Sequence, residues 1–271
     1  MIVRAPATSA NIGSGFDCAG VALDLWNELE LTDGGGVVVE GEGAGELPAD
    51  FSNLAVQAYS LLAEASGKRF RFLNRIPLES GLGSSAAAIA LGLRAAAPSA
   101  GDEELLALGL SLEPHADNLA AALAGGVTLT WEGRIAKIAD TLPLQPVVVL
   151  PTARVSTETS RDALPSEVAH GDAAFSLARA ALLGAGAASG SADLFAAALD
   201  DRVHEPYRET ALVRELRAEP PSGARGATLS GSGPSVIVWA DDAAPCAAEL
   251  ERRYPEHRIL ALSVSPGGAH V

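Results

Sequence analysis

The stretch IPLESGLGSSAAAIALGLRAAA, from Ile76 to Ala97, carries the strongest signal in the chain. It continues a β-type run, RFRFLNRI, and then gives a proline stop at Pro77, a glycine loop and an alanine-rich helix. Ser84 and Ser85 stand where the helix begins, so unpaired backbone N–H groups and the positive end of the helix dipole point into the loop. The pattern therefore predicts a phosphate-binding loop.

This loop differs from the common P-loop, which closes on a Lys-Ser or Lys-Thr pair. The chain has only two lysines, Lys68 and Lys137, and neither lies in the loop. On local physics alone the alternative is an ordinary strand–helix connection, in which Gly makes the turn and Ser caps the helix. The two interpretations are separated by the other segments of the chain.

Two further glycine-bearing segments bracket the chain: VRAPATSANIGSGFDCAGVALDLWNELEL, Val3 to Leu31, and GATLSGSGPSVIVWA, Gly226 to Ala240. In this order the three segments resemble the GHMP kinase superfamily of galactokinase, homoserine kinase, mevalonate kinase and phosphomevalonate kinase. The middle loop is similar to that family's P-x-x-x-G-L-G-S-S-A phosphate loop. PATSANIGSGFD, Pro6 to Asp17, and EPHADNLAAALAGG, Glu113 to Gly126, are similar to the homoserine kinases within it. The resemblance spans nearly the whole chain.

The order of predicted strands and helices indicates an α+β or α/β protein and no more. The resemblance implies a two-lobed α+β fold, the GHMP kinase fold, with the active site between the lobes. An N-terminal ATP-binding lobe, residues 1–145, would contain a left-handed βαβ unit of the ribosomal-protein type, an exception to the usual crossover hand. A C-terminal lobe, residues 146–271, would be ferredoxin-like.

Several elements follow from periodicity and end signals. Strands are predicted over Val3–Pro6 and Val21–Leu31, on either side of a first glycine loop. A helix is predicted from Asn53 to Gly67, with Asn at its N-cap and Gly at its end. Pro114 suits the first turn of a helix over HADNLAAALAGG, GVTLTWEGRIAKI suits a hairpin, and QPVVVLP a strand. Asp172–Val203 is predicted to be alanine-rich helix.

Composition limits the kinds of partner. The 271 residues include 19 basic and 34 acidic side chains, for a formal net charge of −15. This charge argues against nucleic acid and anionic membrane as partners, and no uncharged apolar run reaches the roughly 18 residues of a membrane span. Cys18 and Cys246 are too few for a disulfide framework, and the opening MIVRAP has no apolar signal region. We therefore expect a cytoplasmic protein.

The resemblance implies ATP and Mg²⁺ as ligands. Asn53 would lie near the adenine, although it suits a helix N-cap equally well. Ser85 and Glu113 match the family's metal-contacting Ser and Glu; an N-cap for Ser85 and an acidic residue favoured at a helix start for Glu113 are the structural alternatives. The ATP-binding loop would comprise Pro77, Leu78, Glu79, Ser80, Gly81, Leu82, Gly83, Ser84, Ser85, Ala86 and Ala87.

Homoserine is a small zwitterion with one hydroxyl, so its site needs a cation, an anion and a hydrogen-bonding group. The resemblance assigns the hydroxyl end to Asn11 and Asn118 and the ammonium end to Asp17. It assigns the carboxylate to Arg161 and Arg208, whose planar guanidinium groups suit that task. It also places four further residues around the substrate: His115, Asp117, Gly231 and Gly233.

Each of these residues also has a structural interpretation. An Arg in an acidic chain often forms a surface ion pair, a lone His at a helix start is often structural, and SGSGPS suits a plain turn between strands. If a side chain acts as general base, Asp17 is the first candidate and His115 the second; the catalytic set is Asn11, Asp17, Ser85 and Glu113.

The function implied by the resemblance is ATP-dependent phosphorylation of the L-homoserine side-chain hydroxyl, on the route to threonine, by a homodimer. One alternative is a related kinase for another small alcohol, such as the archaeal type of shikimate kinase, which also needs cations for a carboxylate. Another is a non-catalytic sensor of nucleotide or amino acid, against which Ser85, Glu113 and the glycine loop count.

Overall fold

A computed structural model describes residues 1–152 and 157–271, without the side chains of residues 157–159. This part of the chain forms ten strands and ten helices. In chain order they are β1 (Ile2–Asn11), β2 (Gly15–Asp33), β3 (Gly36–Gly41), α1 (Leu54–Ser60), β4 (Lys68–Asn74), α2 (Ser84–Ala96), α3 (Asp102–Gly109), α4 (Ala116–Ala124), β5 (Val127–Trp131), β6 (Arg134–Ala139), β7 (Gln145–Leu150), α5 (Thr157–Asp162), α6 (His170–Ser189), α7 (Ala192–Ala197), α8 (Glu205–Arg208), α9 (Ala211–Ala218), β8 (Ala224–Leu229), β9 (Val236–Ala240), α10 (Ala243–Arg253) and β10 (Arg258–Ala261).

The first sheet has six strands in the order β3-β4-β2-β5-β6, with β1 paired to β2. Strands β3 and β4 are parallel and are joined through α1, whereas the other pairs are antiparallel. Helices α1 and α2 pack on each other, and α2 and α4 pack on β1 and β2. The largest hydrophobic core lies there because the inward positions of the strands, such as Leu29 and Phe70, meet apolar helix positions such as Ile89 and Leu93.

The second sheet has four antiparallel strands in the order β10-β7-β9-β8. Helical segments follow β7 and a single helix follows β9, so the chain runs β-α-β-β-α-β, the ferredoxin-like arrangement that was predicted. The predicted α+β class is therefore confirmed. After β10 the chain returns to the first sheet, where Arg4 bridges His270 and Leu23 bridges Val264. The division at residues 145 and 146 stays a prediction.

Four predicted boundaries were wrong. The first loop is far shorter than the predicted connection between Pro6 and Val21, because β1 continues to Asn11 and β2 begins at Gly15. Asn53 caps α1 as predicted, but the helix ends at Ser60, whose hydroxyl donates back to the Val56 carbonyl, and a turn follows.

Two further errors concern the later helices. Pro114 lies before the first turn of α4, because His115 is extended (φ −99°, ψ 113°) and is itself the N-cap. The alanine-rich segment is two helices rather than one, since Gly190 adopts a left-handed conformation that ends α6 and Ser191 caps α7. In the parts of the chain described, no helix combines the length and the apolar character that crossing a membrane requires.

Candidate active site

A cavity of about 270 Å³ brings most of the predicted site residues together. One wall is the phosphate loop, and another is the β1–β2 hairpin with the start of α4. The remaining wall comes from α5, α8 and the turn after β8. The predicted residues that line it are Asn11, Asp17, Glu79, Ser80, Gly81, Gly83, Ser84, Ser85, Ala86, Glu113, His115, Asp117, Asn118, Arg161, Arg208 and Gly231.

The phosphate loop ends in a helix N-terminus without a side-chain cap. Gly83 is the N-cap in a left-handed conformation, φ 67°, and no side-chain hydrogen bond caps α2 within the described structure. The first bond of the helix runs from the Ala87 N–H to the Gly83 carbonyl, so the N–H groups of Ser84, Ser85 and Ala86 precede the helical ladder. The alternative in which Ser85 caps the helix is therefore wrong.

The loop glycines are required by close packing. A Cβ at Gly83 would lie 1.9 Å from the Thr8 Oγ1, and a Cβ at Gly81 would lie 2.2 Å from the Ser230 carbonyl oxygen. The Ser230 hydroxyl donates to the Gly81 carbonyl at 2.6 Å. The SGSGPS turn is thus more than a link between β8 and β9, because it holds the phosphate loop from the side of the second sheet.

The β1–β2 hairpin presents Asn11 and Asp17 in strained backbone conformations. Both have positive φ, 72° and 56°, and Ile12 has φ 47°. The Asn11 Nδ2 donates to the Gly231 carbonyl at 3.0 Å, and its Oδ1 accepts the Asp17 N–H at 3.0 Å. These bonds engage the Asn11 oxygen and leave one amide hydrogen for a ligand. Non-glycine residues held at positive φ are typical of binding sites.

Two arginines face this hairpin. Arg161 forms a two-point ion pair with Asp17, and Arg208 donates through Nε to the Ser160 carbonyl at 3.1 Å. Their guanidinium carbons lie 5.8 Å and 5.4 Å from the centroid of the Phe16 ring. Burial lowers the pKa of Arg208, and the charge of Arg161 lowers it further. The site therefore concentrates positive charge beside a carboxylate.

Glu113 is a carboxylate with an unsatisfied oxygen. Its Oε2 is buried and has no hydrogen-bond partner among the described residues. Burial, and then the negative charge of Asp117, raises the pKa of Glu113 to about 7. Burial also raises the pKa of Asp117 to about 6, although the N–H of Asn118 donates to that carboxylate. A bound cation would relieve both carboxylates.

Glu113 and Ser85 could hold such a cation, because both line the cavity and both offer hard oxygen atoms. Within the described ranges, no group of three His, Cys, Asp or Glu side chains could hold a metal ion. A cation here would therefore take most of its ligands from phosphate and water, which is the usual arrangement for Mg²⁺.

His115 and Asn118 occupy the start of α4. His115 stands at the N-cap position without a capping bond to the helix within the described structure. Burial lowers its pKa, and the charge of Arg161 adds to the effect. The Asn118 Oδ1 accepts the Thr8 hydroxyl at 2.8 Å, so its NH₂ group is the end that can reach a ligand.

A second cavity, of about 430 Å³, shares Glu79, Ser84 and Ser85 with the first. It is lined by apolar side chains that include Phe72 and by the predicted residues Leu78 and Asn53. Asn53 is also a helix cap, because its Oδ1 accepts the Ala55 N–H at 3.0 Å. Both interpretations of Asn53 are compatible with this position.

Four predicted residues line neither cavity: Pro77, Leu82, Ala87 and Gly233. All four are buried under the loops. The Pro77 carbonyl accepts the Ser80 hydroxyl, and the Leu82 carbonyl accepts the Thr8 N–H. Pro77 and Leu82 thus contribute to the site through these backbone hydrogen bonds, and contact of the four residues with a ligand stays a prediction.

Sequence reasoning missed Phe16 and His204. The Phe16 ring stacks on His204 with centroids 4.8 Å apart, and the His204 Nδ1 lies 3.5 Å from the Arg208 Nη1. The signal for His204 was its position four residues before Arg208 in VHEPYRE. Phe16, next to Asp17, had no signal of its own.

Comparisons with known proteins agree with this geometry. Residues 53–126 match the family model for the GHMP kinases N terminal domain. The chain is 40% identical to a homoserine kinase of Clavibacter michiganensis subsp. michiganensis, over 99% of this chain and 93% of that protein. It is 41% identical to one from Streptomyces avermitilis, over 89% and 86%. The crystal structure of homoserine kinase from Cytophaga hutchinsonii superposes with a TM-score of 0.84 at 26% identity, over 99% and 96%. The predicted GHMP kinase fold is thereby confirmed.

Proposed function

Because the chain belongs to the homoserine kinase family of the GHMP kinases, we propose that it transfers the γ-phosphoryl group of ATP to the side-chain hydroxyl of L-homoserine. The products are O-phospho-L-homoserine, on the route to threonine, and ADP. The observation that carries this proposal is one cavity with two chemically different walls. One wall is an uncapped helix N-terminus, and the other holds Asp17, Arg161 and Arg208.

The wall that holds Asp17, Arg161 and Arg208 fixes the amino acid at its α-carbon end. The guanidinium groups of Arg161 and Arg208 take the carboxylate, and Asp17 takes the ammonium group. Asp117, buried at the same cavity, adds negative charge near that end. With the α-carbon end fixed, the side-chain hydroxyl extends toward the phosphate loop, where the free amide hydrogen of Asn11 and the NH₂ group of Asn118 orient it.

The wall formed by the start of α2 supplies hydrogen-bond donors for phosphate without a lysine. The backbone N–H groups of Ser84, Ser85 and Ala86 point toward the phosphates from the start of α2. The second cavity, with Asn53 and Phe72, suits the adenine and ribose. Positioning of this kind is most of what a protein contributes to phosphoryl transfer.

Ser85 and Glu113 would hold Mg²⁺, for which the unsatisfied Glu113 oxygen is the supporting observation. When bound, Mg²⁺ neutralises charge that develops on the transferring phosphoryl group. At neutral pH the Glu113 carboxyl takes up a proton readily, because its pKa is about 7. A cation bound there would favour the ionised carboxylate.

The geometry is compatible with either candidate base. The Asp17 carboxylate is engaged by Arg161 in an ion pair. His115 is neutral near pH 7, because burial lowers its pKa. A neutral imidazole can accept the hydroxyl proton, which supports His115 as a candidate for that role.

The kinase alternatives differ in the charge of the acceptor. Shikimate carries a carboxylate but no ammonium group, so it would use the arginines and leave Asp17 without a partner. Ser85, Glu113 and the glycine loop, which together suit phosphoryl transfer, count against a non-catalytic sensor. The same family membership supports a homodimer with lobes 1–145 and 146–271. The proposed use of ATP and the two free cysteines of the chain support a cytoplasmic location.

The test is ADP release, measured by a coupled assay with Mg·ATP and a panel of homoserine, shikimate, mevalonate and galactose. Homoserine should give the highest kcat/KM by at least about 100-fold, because only homoserine pairs both charges of the site. Preference for shikimate would replace the proposed substrate, and binding of homoserine without ADP release would support the sensor.

A further inference from the structure

His204 joins two parts of the site that are far apart in sequence. Its imidazole is fully buried. The Nε2 lies 2.8 Å from the Gly13 carbonyl oxygen, in the turn of the β1–β2 hairpin, and the Nδ1 lies 3.5 Å from the Arg208 Nη1. One ring therefore contacts the hairpin that carries Asp17 and the arginine assigned to the substrate carboxylate.

The chemistry of these two contacts fixes the protonation of the ring. A guanidinium group can only donate, so the Nδ1 must carry the lone pair. A backbone carbonyl can only accept, so the Nε2 must carry the hydrogen. His204 is thus a neutral imidazole in the Nε2–H tautomer. Burial, which lowers the pKa of His204, acts in the same direction.

The position of His204 is itself fixed. The Asp201 Oδ2 accepts the backbone N–H of His204 at 2.7 Å and that of Glu205 at 2.9 Å. The hairpin turn docks on the same segment, because the Ser14 hydroxyl donates to the Ala198 carbonyl at 2.9 Å and a Cβ at Gly13 would lie 2.3 Å from the Leu199 oxygen. This segment therefore connects the hairpin to α8 through hydrogen bonds and close packing.

Phe16 extends the connection to the ligand side. Its ring stacks on His204 at an interplanar angle of 18°, and both guanidinium groups of the site lie within 6 Å of its centroid. Phe16 precedes Asp17 directly. A change in the imidazole position therefore alters the spacing between the Asp17 carboxylate and the Arg208 guanidinium.

We propose that His204 is a positioning residue that sets the spacing between the ammonium and carboxylate subsites, and so determines selectivity for an acceptor carrying both charges. This inference rests on the proposed function. The two contacts of His204 act on different charges of the substrate. The Nδ1 contact acts on the carboxylate through Arg208, and the Nε2 contact acts on the ammonium group through the hairpin.

Two substitutions separate the contacts. The amide of His204→Gln reaches the Nε2 position and can still donate to Gly13, but the acceptor for Arg208 is lost. The amide of His204→Asn reaches the Nδ1 position and can still accept from Arg208, but the bond to Gly13 is lost. His257→Gln is the matched control, since His257 also stacks on an aromatic ring, that of Tyr254, and lies outside the site.

Steady-state kinetics with homoserine and two truncated acceptors give the readout. Each His204 variant should raise KM for homoserine about tenfold, the effect of losing one hydrogen bond at a charged site, with KM for ATP within about twofold. His204→Gln should reduce the preference for homoserine over aminopropanol, which lacks the carboxylate. His204→Asn should reduce the preference over γ-hydroxybutyrate, which lacks the ammonium group. The control should behave as the wild type.

The inference is overturned if both variants fold and their KM for homoserine stays within twofold of the control. It is also overturned if KM for ATP rises in parallel with KM for homoserine. If both variants fail to fold, ¹⁵N spectra of the wild-type imidazoles decide. A neutral Nε2–H ring whose Nδ1 resonance moves with homoserine supports the inference, and an Nδ1–H ring or an unmoved resonance overturns it. A wild type without homoserine-dependent ADP release instead overturns the proposed function, and this inference with it.

Discussion

Arg161 and Asp17 face each other across the cavity in a two-point ion pair, with the Nη1–Oδ2 distance at 3.1 Å and the Nη2–Oδ1 distance at 2.5 Å. Asp17 lies in β2 of the first sheet, and Arg161 lies in α5, which follows β7 of the second sheet, so the two residues are 144 positions apart. In the proposed complex Arg161 pairs with the carboxylate of homoserine and Asp17 pairs with its ammonium group, instead of with each other. The charges of the site are therefore balanced with and without substrate. The two side chains are 31% and 41% exposed, which makes the pair weak enough to exchange.

The arginine pair predicts an effect confined to the amino acid. Arg161→Lys and Arg208→Lys should each raise KM for homoserine by at least about tenfold, because an ammonium group cannot form the planar two-point contact. KM for ATP should barely move. Arg134→Lys is the control, since Arg134 forms an exposed pair with Glu103. An equal rise in both KM values would assign these arginines to the nucleotide or to folding.

Asp17→Asn should lower kcat/KM for homoserine by about 100-fold or more, because the substrate ammonium would be enclosed without a counter-charge. γ-Hydroxybutyrate should be a poor acceptor for the wild type and should lose much less in the variant. Asp33→Asn, at an exposed pair with Lys68, is the control. If the wild type uses the amine-free acceptor as well as homoserine, Asp17 is not the ammonium site.

Ser85→Ala and Glu113→Gln should each lower kcat at least about 100-fold while homoserine affinity, measured by calorimetry without nucleotide, stays within about twofold. The reason is that charge on the transferring group develops only in the transition state. Ser111→Ala, which removes an exposed hydroxyl at the end of α3, is the control. Wild-type turnover of the Glu113 variant would mean that another carboxylate holds the metal.

Glu113 also predicts a pH-dependent stability change. Its pKa is about 7 in the folded protein and 4.5 in the reference state, so the folded state binds more protons between these values. The stability advantage of Glu113→Gln over the wild type should therefore grow as pH rises from 4.5 to 7, whereas the effects of Asp117 and Glu205, whose pKa values are also raised, remain in both proteins. At pH 8, with chelator present, the variant should be more stable by on the order of 1–3 kcal/mol, and near pH 4 the two should be equal. Equal stability at both values would contradict the shifted pKa.

Local sequence patterns were sufficient to predict those elements whose structure is decided by a local physical rule. The positive φ at Gly83 and the helix that starts at Ser84 follow from the glycine loop, and the cap at Asn53 follows from its side chain. The end of α1 at Ser60 did not follow, because a back-bonding hydroxyl and a turn replace the expected glycine stop.

Contacts between distant segments could not be predicted from the sequence. The Asp17–Arg161 pair and the Gly13–His204 bond join residues 144 and 191 positions apart, and no periodicity relates them. The resemblance brought the charged residues to one site but said nothing of their contacts with each other. Phe16 and His204 became visible only when the packing placed them between Asp17 and Arg208.

Identification of the product tests the proposed phosphorylation of homoserine. The wild-type protein is incubated with Mg·ATP and L-homoserine, ADP is quantified, and phosphorus NMR with mass spectrometry identifies the phosphorylated compound. We predict one O-phospho-L-homoserine per ADP, with the phosphate on the side-chain oxygen. ADP release that leaves homoserine unmodified, or phosphorylation of shikimate in its place, would show that the protein is not a homoserine kinase.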